Sequence, residues 1–178
     1  MLAYKMIVAR KKNLCFDRQM PDNESSFLTI GIDCGVNGGI VWHHNGVTSV
    51  TKMPPTDFDV VDLLVSLSKK SPLVEMFIEL PPLYAGRNIP SSAIGKLMMN
   101  YGICYGAGVA LKFKIHPVRP QAWQKFHALG TKGDRTTTQW KNHLKAKASE
   151  LYPDIAVTLW SADALLVLNA GLYSKQSL

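Results

Sequence analysis

The 178-residue sequence predicts a single α/β domain whose mixed, five-stranded central β-sheet is flanked by helices. Short apolar runs alternate along the chain with segments whose apolar residues recur at helical spacing. An Asn-Gly pair joins two of the early apolar runs, and this pair is typical of a β-hairpin. The resulting order is strands, helix, strand, helix, strand and helices, which indicates an α/β fold with a leading hairpin.

The leading strands come from two apolar runs that a turn connects. Residues 27–33 form the first run, which ends in the carboxylate of Asp33, and residues 38–43 form the second. Asn45 and Gly46 then predict the hairpin turn, and the residues after them predict the returning strand. Glycines between the first two runs predict a tight turn beside Asp33.

A helix and another strand follow a break at two consecutive prolines. Thr56 is placed to cap the helix, and four apolar residues follow it at helical spacing. These are Val60, Leu63, Leu64 and Leu67. Residues 73–80 then form an apolar run that again ends in a carboxylate, Glu79.

The next helix extends from Ser91 or Ser92 to about Lys112, and small residues dominate one of its faces. The face consists of Gly95, Met99, Gly102, Gly106 and Ala110. Glycine disfavours helix by up to about 1 kcal/mol per residue, so close approach of another backbone would explain the pattern. That backbone belongs either to a second copy of the chain or to the chain's own sheet.

The last third of the sequence predicts one short strand and three helices. Residues 113–118 form the strand, and Pro120 opens a helix that carries Trp123. A helix over residues 136–152 has one apolar face, formed by Trp140, Leu144, Ala148 and Leu151. Ser161 is placed to cap the final helix.

Positive charge is concentrated in one block of the chain. The net charge is +7, and residues 112–147 contain nine Lys or Arg and one acid, so the rest of the chain sums to −1. A block of this kind favours a polyanionic partner, although a solvated helix face gives the same pattern.

Residues 1–26 have a different composition and form an N-terminal appendage, either an arm or a targeting segment, ahead of the domain over residues 27–178. No apolar run approaches the length of about 20 residues that a membrane span needs, so we expect no membrane partner. Three widely spaced cysteines fit neither a zinc site nor a disulfide framework. We therefore expect a reducing, intracellular compartment.

Three carboxylates are candidates for one metal site. Asp33 and Glu79 end strands of one sheet, and Asp163 lies in the first turn of the last helix. If that helix crosses the sheet, the three converge, and converging carboxylates need a cation such as Mg²⁺ or Mn²⁺. Each acid also has an ordinary structural explanation, since turns, loops and helix starts all favour carboxylates.

Six segments occur in the order found in RuvC-like Holliday junction resolvases, which the chain resembles from Phe27 to about Leu172. The segments are IGIDCGVNGGIVW, FIELPP, KLMMNYGICYGAGVA, IHPVRPQAWQK, KASELYPD and SADALLVLNA. The resemblance is closer to the phage, viral and organellar branches than to the bacterial one. It implies an RNase H-like fold, Mg²⁺ dependence with two ions per site, a homodimer, and paired nicks in a four-way DNA junction. It also implies an intracellular, DNA-containing compartment, either the cytoplasm of a bacterial or virus-infected cell or an organelle.

The resemblance also assigns roles to residues. Asp33, Glu79 and Asp163 match the catalytic, metal-binding acids. The family has a fourth acid or a histidine one turn before the last aspartate, where this chain has Trp160. Either another side chain replaces that ligand, or the site is weak or inactive. The candidate replacements are His127, Asp134, His143 and Asp154.

Basic and aromatic residues supply candidate DNA contacts. The predicted phosphate contacts are Arg119, Lys125, Lys132, Arg135 and Lys141. In the loop after Glu79, Tyr84 is placed to stack on an unpaired base and Arg87 to bind phosphate, or the loop is a rigid proline loop. Lys132 or Lys141 is also a candidate to neutralise charge at the reacting phosphate.

Three other functions compete with junction resolution. A nuclease of the same fold that cuts other branched DNA would use the same acids. A junction-binding protein without activity would explain Trp160. An actin-like ATP-binding domain would explain the GIDCGVNGG segment, but that class has a second phosphate loop, which we do not find in this sequence.

Overall fold

The structure, a computed structural model, describes residues 7–10, 27–82 and 90–174. The strands are β1 Ile7–Arg10, β2 Phe27–Asp33, β3 Gly39–His44, β4 Val47–Lys52, β5 Leu73–Glu79 and β6 Lys114–Val118. The helices are α1 Asp57–Ser68, α2 Ser91–Ala110, α3 Pro120–Phe126, α4 Thr137–Leu151 and α5 Ala162–Ser174. Across these ranges, no helix is long and apolar enough to cross a membrane.

The strands form one mixed sheet in the order β1-β4-β3-β2-β5-β6. The pairs β2–β5 and β5–β6 are parallel, and the remaining pairs are antiparallel. The five strands predicted from the sequence, β2 to β6, are therefore confirmed. A sixth strand, β1, belongs to the segment assigned to the appendage and pairs with β4, with Ile7 opposite Val50 and Arg10 opposite Val47.

Local signals account for most of the element boundaries. The Thr56 side chain accepts a hydrogen bond from the Asp59 backbone at 3.2 Å and so caps α1. Thr136 and Gln139 form a reciprocal capping box at the start of α4. Ser161 differs from the prediction, because its hydroxyl accepts a hydrogen bond from the Thr158 backbone at 3.0 Å, outside the helix that it was expected to cap.

The sheet separates two apolar layers. Alternate residues of β2, such as Ile30, pack into a core with α1 and α2, and the residues between them face α3, α4 and α5. Helix α5 crosses β2 so closely that a Cβ atom added at Gly31 would lie 2.7 Å from the Ala164 carbonyl oxygen. Because Asp33 follows Gly31 by two residues, it lies on this same α5 side of the sheet.

The small-residue face of α2 does not pack against the chain's own sheet. Cβ atoms added at Gly95, Gly102 and Gly106 would meet no heavy atom within 4 Å. Met99 on the same face is 61% exposed. The helix contacts the sheet through a different glycine, Gly108, whose added Cβ would lie 2.6 Å from the Met76 side chain. Of the two explanations left open above, packing on the sheet is therefore excluded for these residues.

Candidate active site

Asp33 and Glu79 lie side by side because they end neighbouring parallel strands. Ile32 of β2 is in register with Ile78 of β5, and the two acids are the next residues along each strand. Phe77, two residues before Glu79, packs in the core that contains α5. Since side chains alternate along a strand, both acids project toward the α5 side of the sheet.

Asp163 completes the group from the first turn of α5. Together with Asp33, Glu79 and Lys141, it lines a single cleft, which we call the acidic cleft. The convergence predicted from the sequence therefore occurs in the structure, and α5 produces it by crossing β2.

The glycine turn after β2 fixes the carboxylate of Asp33. Oδ1 of Asp33 accepts a hydrogen bond from the Gly35 backbone at 3.0 Å, and Gly38 N donates to the Gly35 carbonyl at 2.7 Å. A Cβ atom at Gly38 would lie 2.3 Å from the Asp33 carbonyl oxygen and 2.7 Å from its Cγ. The glycine is needed here because any side chain would collide with Asp33.

Lys141 is the cation of the acidic cleft. Helix α4 buries Trp140 and Leu144, and this packing places the neighbouring Lys141 so that its Nζ donates to Oδ2 of Asp163. Burial alone lowers the pKa of Lys141. The ion pair and hydrogen bond with Asp163, together with the charges of Asp33 and Glu79, outweigh burial, so the pKa is raised overall.

Trp123 holds the carboxylate of Glu79. Its indole Nε1 donates to Oε2 of Glu79 at 3.0 Å, and the side chain is 1% exposed. The sequence predicted a helix that carries this residue but not its hydrogen bond. The Pro-x-x-Pro-x-x-Trp pattern was the available signal, because it starts α3 next to the end of β6.

Burial and the neighbouring carboxylates disfavour the ionisation of Asp33 and Glu79. Burial raises the pKa of Glu79 to about 8, the charges of Asp33 and Asp163 add to the increase, and the bond from Trp123 opposes it. Burial also raises the pKa of Asp33, with a further contribution from Asp163. A site with these properties favours a cation that would compensate the buried negative charge.

The carboxylates of the acidic cleft are the kind of ligand that a hard divalent cation prefers. All three acids offer carboxylate oxygens, which Mg²⁺ and Mn²⁺ prefer, and Oδ1 of Asp163 is buried with no hydrogen-bond partner. Within residues 7–10, 27–82 and 90–174, no group of three or more His, Cys, Asp or Glu side chains is arranged to hold a metal ion. In this structure the Lys141 ammonium contacts Asp163 instead.

None of the candidate replacements for a fourth ligand lies in the acidic cleft. His127 is buried with its Nε2 2.9 Å from the Leu166 carbonyl oxygen, and the His143 ring packs near Trp140. Asp134 lies in an exposed loop and Asp154 in an exposed turn. They were proposed by residue type alone, and the packing of α3 and α4 places them elsewhere.

The predicted phosphate contacts fall into two groups. Lys132 and Arg135 lie in the exposed loop before α4, where Lys132 donates to the Thr137 hydroxyl at 3.1 Å and Arg135 to the Thr131 carbonyl at 2.9 Å. Arg119 and Lys125 are exposed at the two ends of α3. Lys141 differs from all four because it lies in the acidic cleft. Tyr84 and Arg87 lie outside the described residues.

The raised carboxylate pKa values predict a pH-dependent stability. We expect the free energy of unfolding, measured by urea denaturation in chelator, to fall as the pH rises from about 4.5 to about 8. Glu79 ionises near its usual value of 4.5 in the unfolded chain but only near 8 in the folded one, so the folded state loses relative stability across that interval. Asp33 acts in the same direction. Glu79→Gln should flatten this slope, and an unchanged slope would contradict the assignment.

Two solved structures share this fold. A structure of Thermus thermophilus RuvC aligns with a TM-score of 0.51 at 15% sequence identity, over 84% of this chain and 96% of that one. T. thermophilus RuvC in complex with a Holliday junction substrate aligns with a TM-score of 0.53 at 14% identity, over the same fractions. No protein-family model and no curated protein sequence matches the chain. The comparisons show that this chain has the α/β, RNase H-like fold of RuvC.

Proposed function

We propose that this chain is a divalent-metal-dependent endodeoxyribonuclease that resolves four-way DNA junctions by paired phosphodiester hydrolysis. The observation that carries the proposal is the convergence of Asp33, Glu79 and Asp163 on one cleft. The fold shared with RuvC, including a RuvC structure bound to a Holliday junction substrate, supports the choice of substrate.

Asp33, Glu79 and Asp163 would hold the metal, Mg²⁺ or in its place Mn²⁺, with two ions per site. When bound, the ions supply positive charge for the attack of water on phosphorus and for the departing oxygen. The Gly35 N–H orients Asp33, and the Trp123 indole orients Glu79, so both carboxylates are positioned before substrate binds. Preorganised groups of this kind cost little reorganisation during reaction.

Lys141 would have two roles in the proposed reaction. Its ammonium group compensates the charge of Asp163 before the metal and DNA bind. Because the Lys141 side chain is 40% exposed at the cleft, it can also turn toward a phosphate oxygen. There it would stabilise the negative charge that develops during hydrolysis.

Phosphate contacts would come from the basic block over residues 112–147. The exposed residues Arg119, Lys125, Lys132 and Arg135 would bind backbone phosphates with Lys141, without reading sequence. Tyr84 and Arg87 keep the roles predicted from the sequence, base stacking and phosphate binding at the junction centre.

We also propose a homodimer through α2. The face containing Gly95, Met99, Gly102 and Gly106 is open in the single chain, and small residues allow close approach of a second helix. A twofold dimer presents two acidic clefts, which suits symmetric nicks in a four-way junction.

Three further predictions concern organisation and origin. The domain over residues 27–178 would carry the activity, and residues 1–26 would serve as an appendage whose strand β1 extends the sheet. The chain would act in an intracellular, DNA-containing compartment. The resemblance to the phage, viral and organellar branches rests on sequence motifs alone, since the two solved structures are bacterial.

Trp160 favours a second candidate function. In the resembled family this position carries a fourth ligand, and no replacement lines the acidic cleft within the described residues. A junction-binding protein of weak or absent activity would fit this observation. A nuclease for other branched DNA would share the same three acids and differ only in substrate preference.

The deciding experiment is cleavage of a labelled four-way junction in Mg²⁺, in Mn²⁺ and in chelator, with a linear duplex of the same sequence as the control. We expect symmetric nicks that require metal and are absent from the duplex. Faster cleavage of flaps or forks than of the junction would favour the broader nuclease. Tight junction binding without cleavage in either metal would favour the binding protein.

A further inference from the structure

A second cavity lies beside the acidic cleft. Its volume is about 730 Å³, and it opens between the turn after β2, the connection from β4 to α1, and helix α2. Trp160 forms part of its wall, and Asn37 and Asn100 line it as well. We call this space the side cavity. Its volume is in the range of small-molecule sites, about 300–1,000 Å³.

The chemistry of the side cavity suits a flat, uncharged ring. Apolar residues such as Met53 line it together with Trp160 and the two asparagines. Lys52 and Asp57 contribute one charge of each sign, so the cavity does not select an anion. Aromatic rings and amides are the groups with which proteins bind nucleobases, by stacking and by hydrogen bonds to the base edge.

The side cavity adjoins the acidic cleft. Val36 and Asn37 line both spaces, so only the turn after β2 separates them. Asn100 reaches across from α2 and donates a hydrogen bond to the carbonyl oxygen of Cys34, the residue after Asp33, at 3.3 Å. Trp160 lies three residues before Asp163. A strand whose phosphate lies at the acids would therefore carry a neighbouring nucleotide to the mouth of the side cavity.

The position of Trp160 is fixed by the sheet. Its Cε3 atom would lie 3.0 Å from a Cβ atom added at Gly39, so the ring packs where β3 has no side chain. Gly39 is directly opposite Asp33 in the sheet. The ring is thus held beside the start of β3, next to the end of β2 that carries Asp33.

From this arrangement we propose that the side cavity binds one unpaired nucleobase next to the scissile phosphate, stacked on Trp160, with the amides of Asn37 and Asn100 facing its edge. The inference rests on the proposed function, since it takes the strand in the acidic cleft to be DNA. It gives Trp160 a role in base binding at a position where the resembled family has a metal ligand. It also predicts that the choice of cleavage site depends on the base in this cavity.

The test asks whether the effect of removing one base on junction binding depends on the ring of Trp160. Junction affinity is measured in chelator, so that no strand is cut, with abasic nucleotides placed one at a time on either side of the crossover. We expect one abasic position to weaken binding to the wild type by about tenfold, the size of one base–aromatic stack. Trp160→Ala should bind the intact and that abasic junction equally, and Trp160→Phe should retain most of the difference.

Leu159→Ala is the matched control, because Leu159 is an exposed neighbour of Trp160 that does not line the side cavity. It should keep the full abasic effect. Trp160→Phe, which retains a ring, and Asn37→Ala, in an exposed turn, cover the case in which Trp160→Ala does not fold. Asn37→Ala should reduce discrimination between bases at the sensitive position.

The outcomes separate this inference from the proposed function. An abasic effect of equal size in wild type and Trp160→Ala, or no abasic effect in the wild type, overturns the base site even if the junction is cut in Mg²⁺. If the abasic effect depends on Trp160 but the junction is cut in neither Mg²⁺ nor Mn²⁺, the base site is supported and the nuclease is overturned. Absence of junction binding overturns both.

Discussion

Asp33→Asn is expected to lower the rate of junction cleavage by about a thousandfold or more while changing junction affinity only a few fold. The substitution keeps the shape of the side chain but removes one of the three carboxylates that would hold the metal, and loss of one member of a catalytic group has effects of this size. Binding should persist because the basic residues outside the cleft supply the phosphate contacts.

The fold should also survive this change. Burial and Asp163 already disfavour the charged form of Asp33, so a neutral amide removes repulsion from the folded state. Single-turnover cleavage of a labelled junction in Mg²⁺ measures the effect. The control is Asp134→Asn, because Asp134 is an acid in the exposed loop before α4. This variant should cut the junction at the wild-type rate. If Asp33→Asn retained a tenth of the wild-type rate, Asp33 would not be a catalytic ligand.

Gly31→Ala is expected to destabilise the fold by about 3 kcal/mol, at the upper end of what overpacking a core usually costs. An added Cβ would lie 2.7 Å from the Ala164 carbonyl oxygen and 2.8 Å from the Leu168 backbone nitrogen. These are main-chain atoms of α5, so the strain is relieved only if the helix moves away from β2. Asp163 would move with it, and cleavage should fall together with stability.

Urea denaturation at fixed pH measures this cost. Gly102→Ala is the matched control at a concentration where the chain is monomeric, because the same methyl group there meets no heavy atom within 4 Å. In the middle of an exposed helix, alanine is favoured over glycine by about 1 kcal/mol, so the control should be more stable than the wild type. Equal stability of Gly31→Ala and the wild type would contradict the close contact between α5 and β2.

The sequence predicted the parts of the fold that depend on neighbouring residues. The periodicity of apolar residues, the Asn45-Gly46 turn and the cap at Thr56 are local signals, and the structure confirms each of them. Strand β1 was not predicted. It spans only four residues, and its pairing with β4 is a long-range contact that its own composition does not show.

The candidate site also contains residues that local sequence signals predict and contacts that only the packing of the helices produces. Asp33 and Glu79 were identifiable because each ends an apolar run, and the carboxyl ends of adjacent parallel strands meet at one edge of a sheet. The contacts of Lys141 with Asp163 and of Trp123 with Glu79 join residues 22 and 44 positions apart. They depend on how α3 and α4 pack against the sheet, and no spacing in the sequence records that packing.

The hairpin turn at Asn45 and Gly46 has a practical consequence for measurements on this molecule. Both residues are exposed and have positive φ angles, 50° and 74°, as a tight two-residue turn requires. The strand that leads to them, β3, starts opposite Asp33 and runs away from it for six residues, which places the turn about 20 Å from the acids. A fluorophore attached at this tip would report the approach of labelled DNA at a useful energy-transfer distance while leaving both the cleft and the α2 face unobstructed.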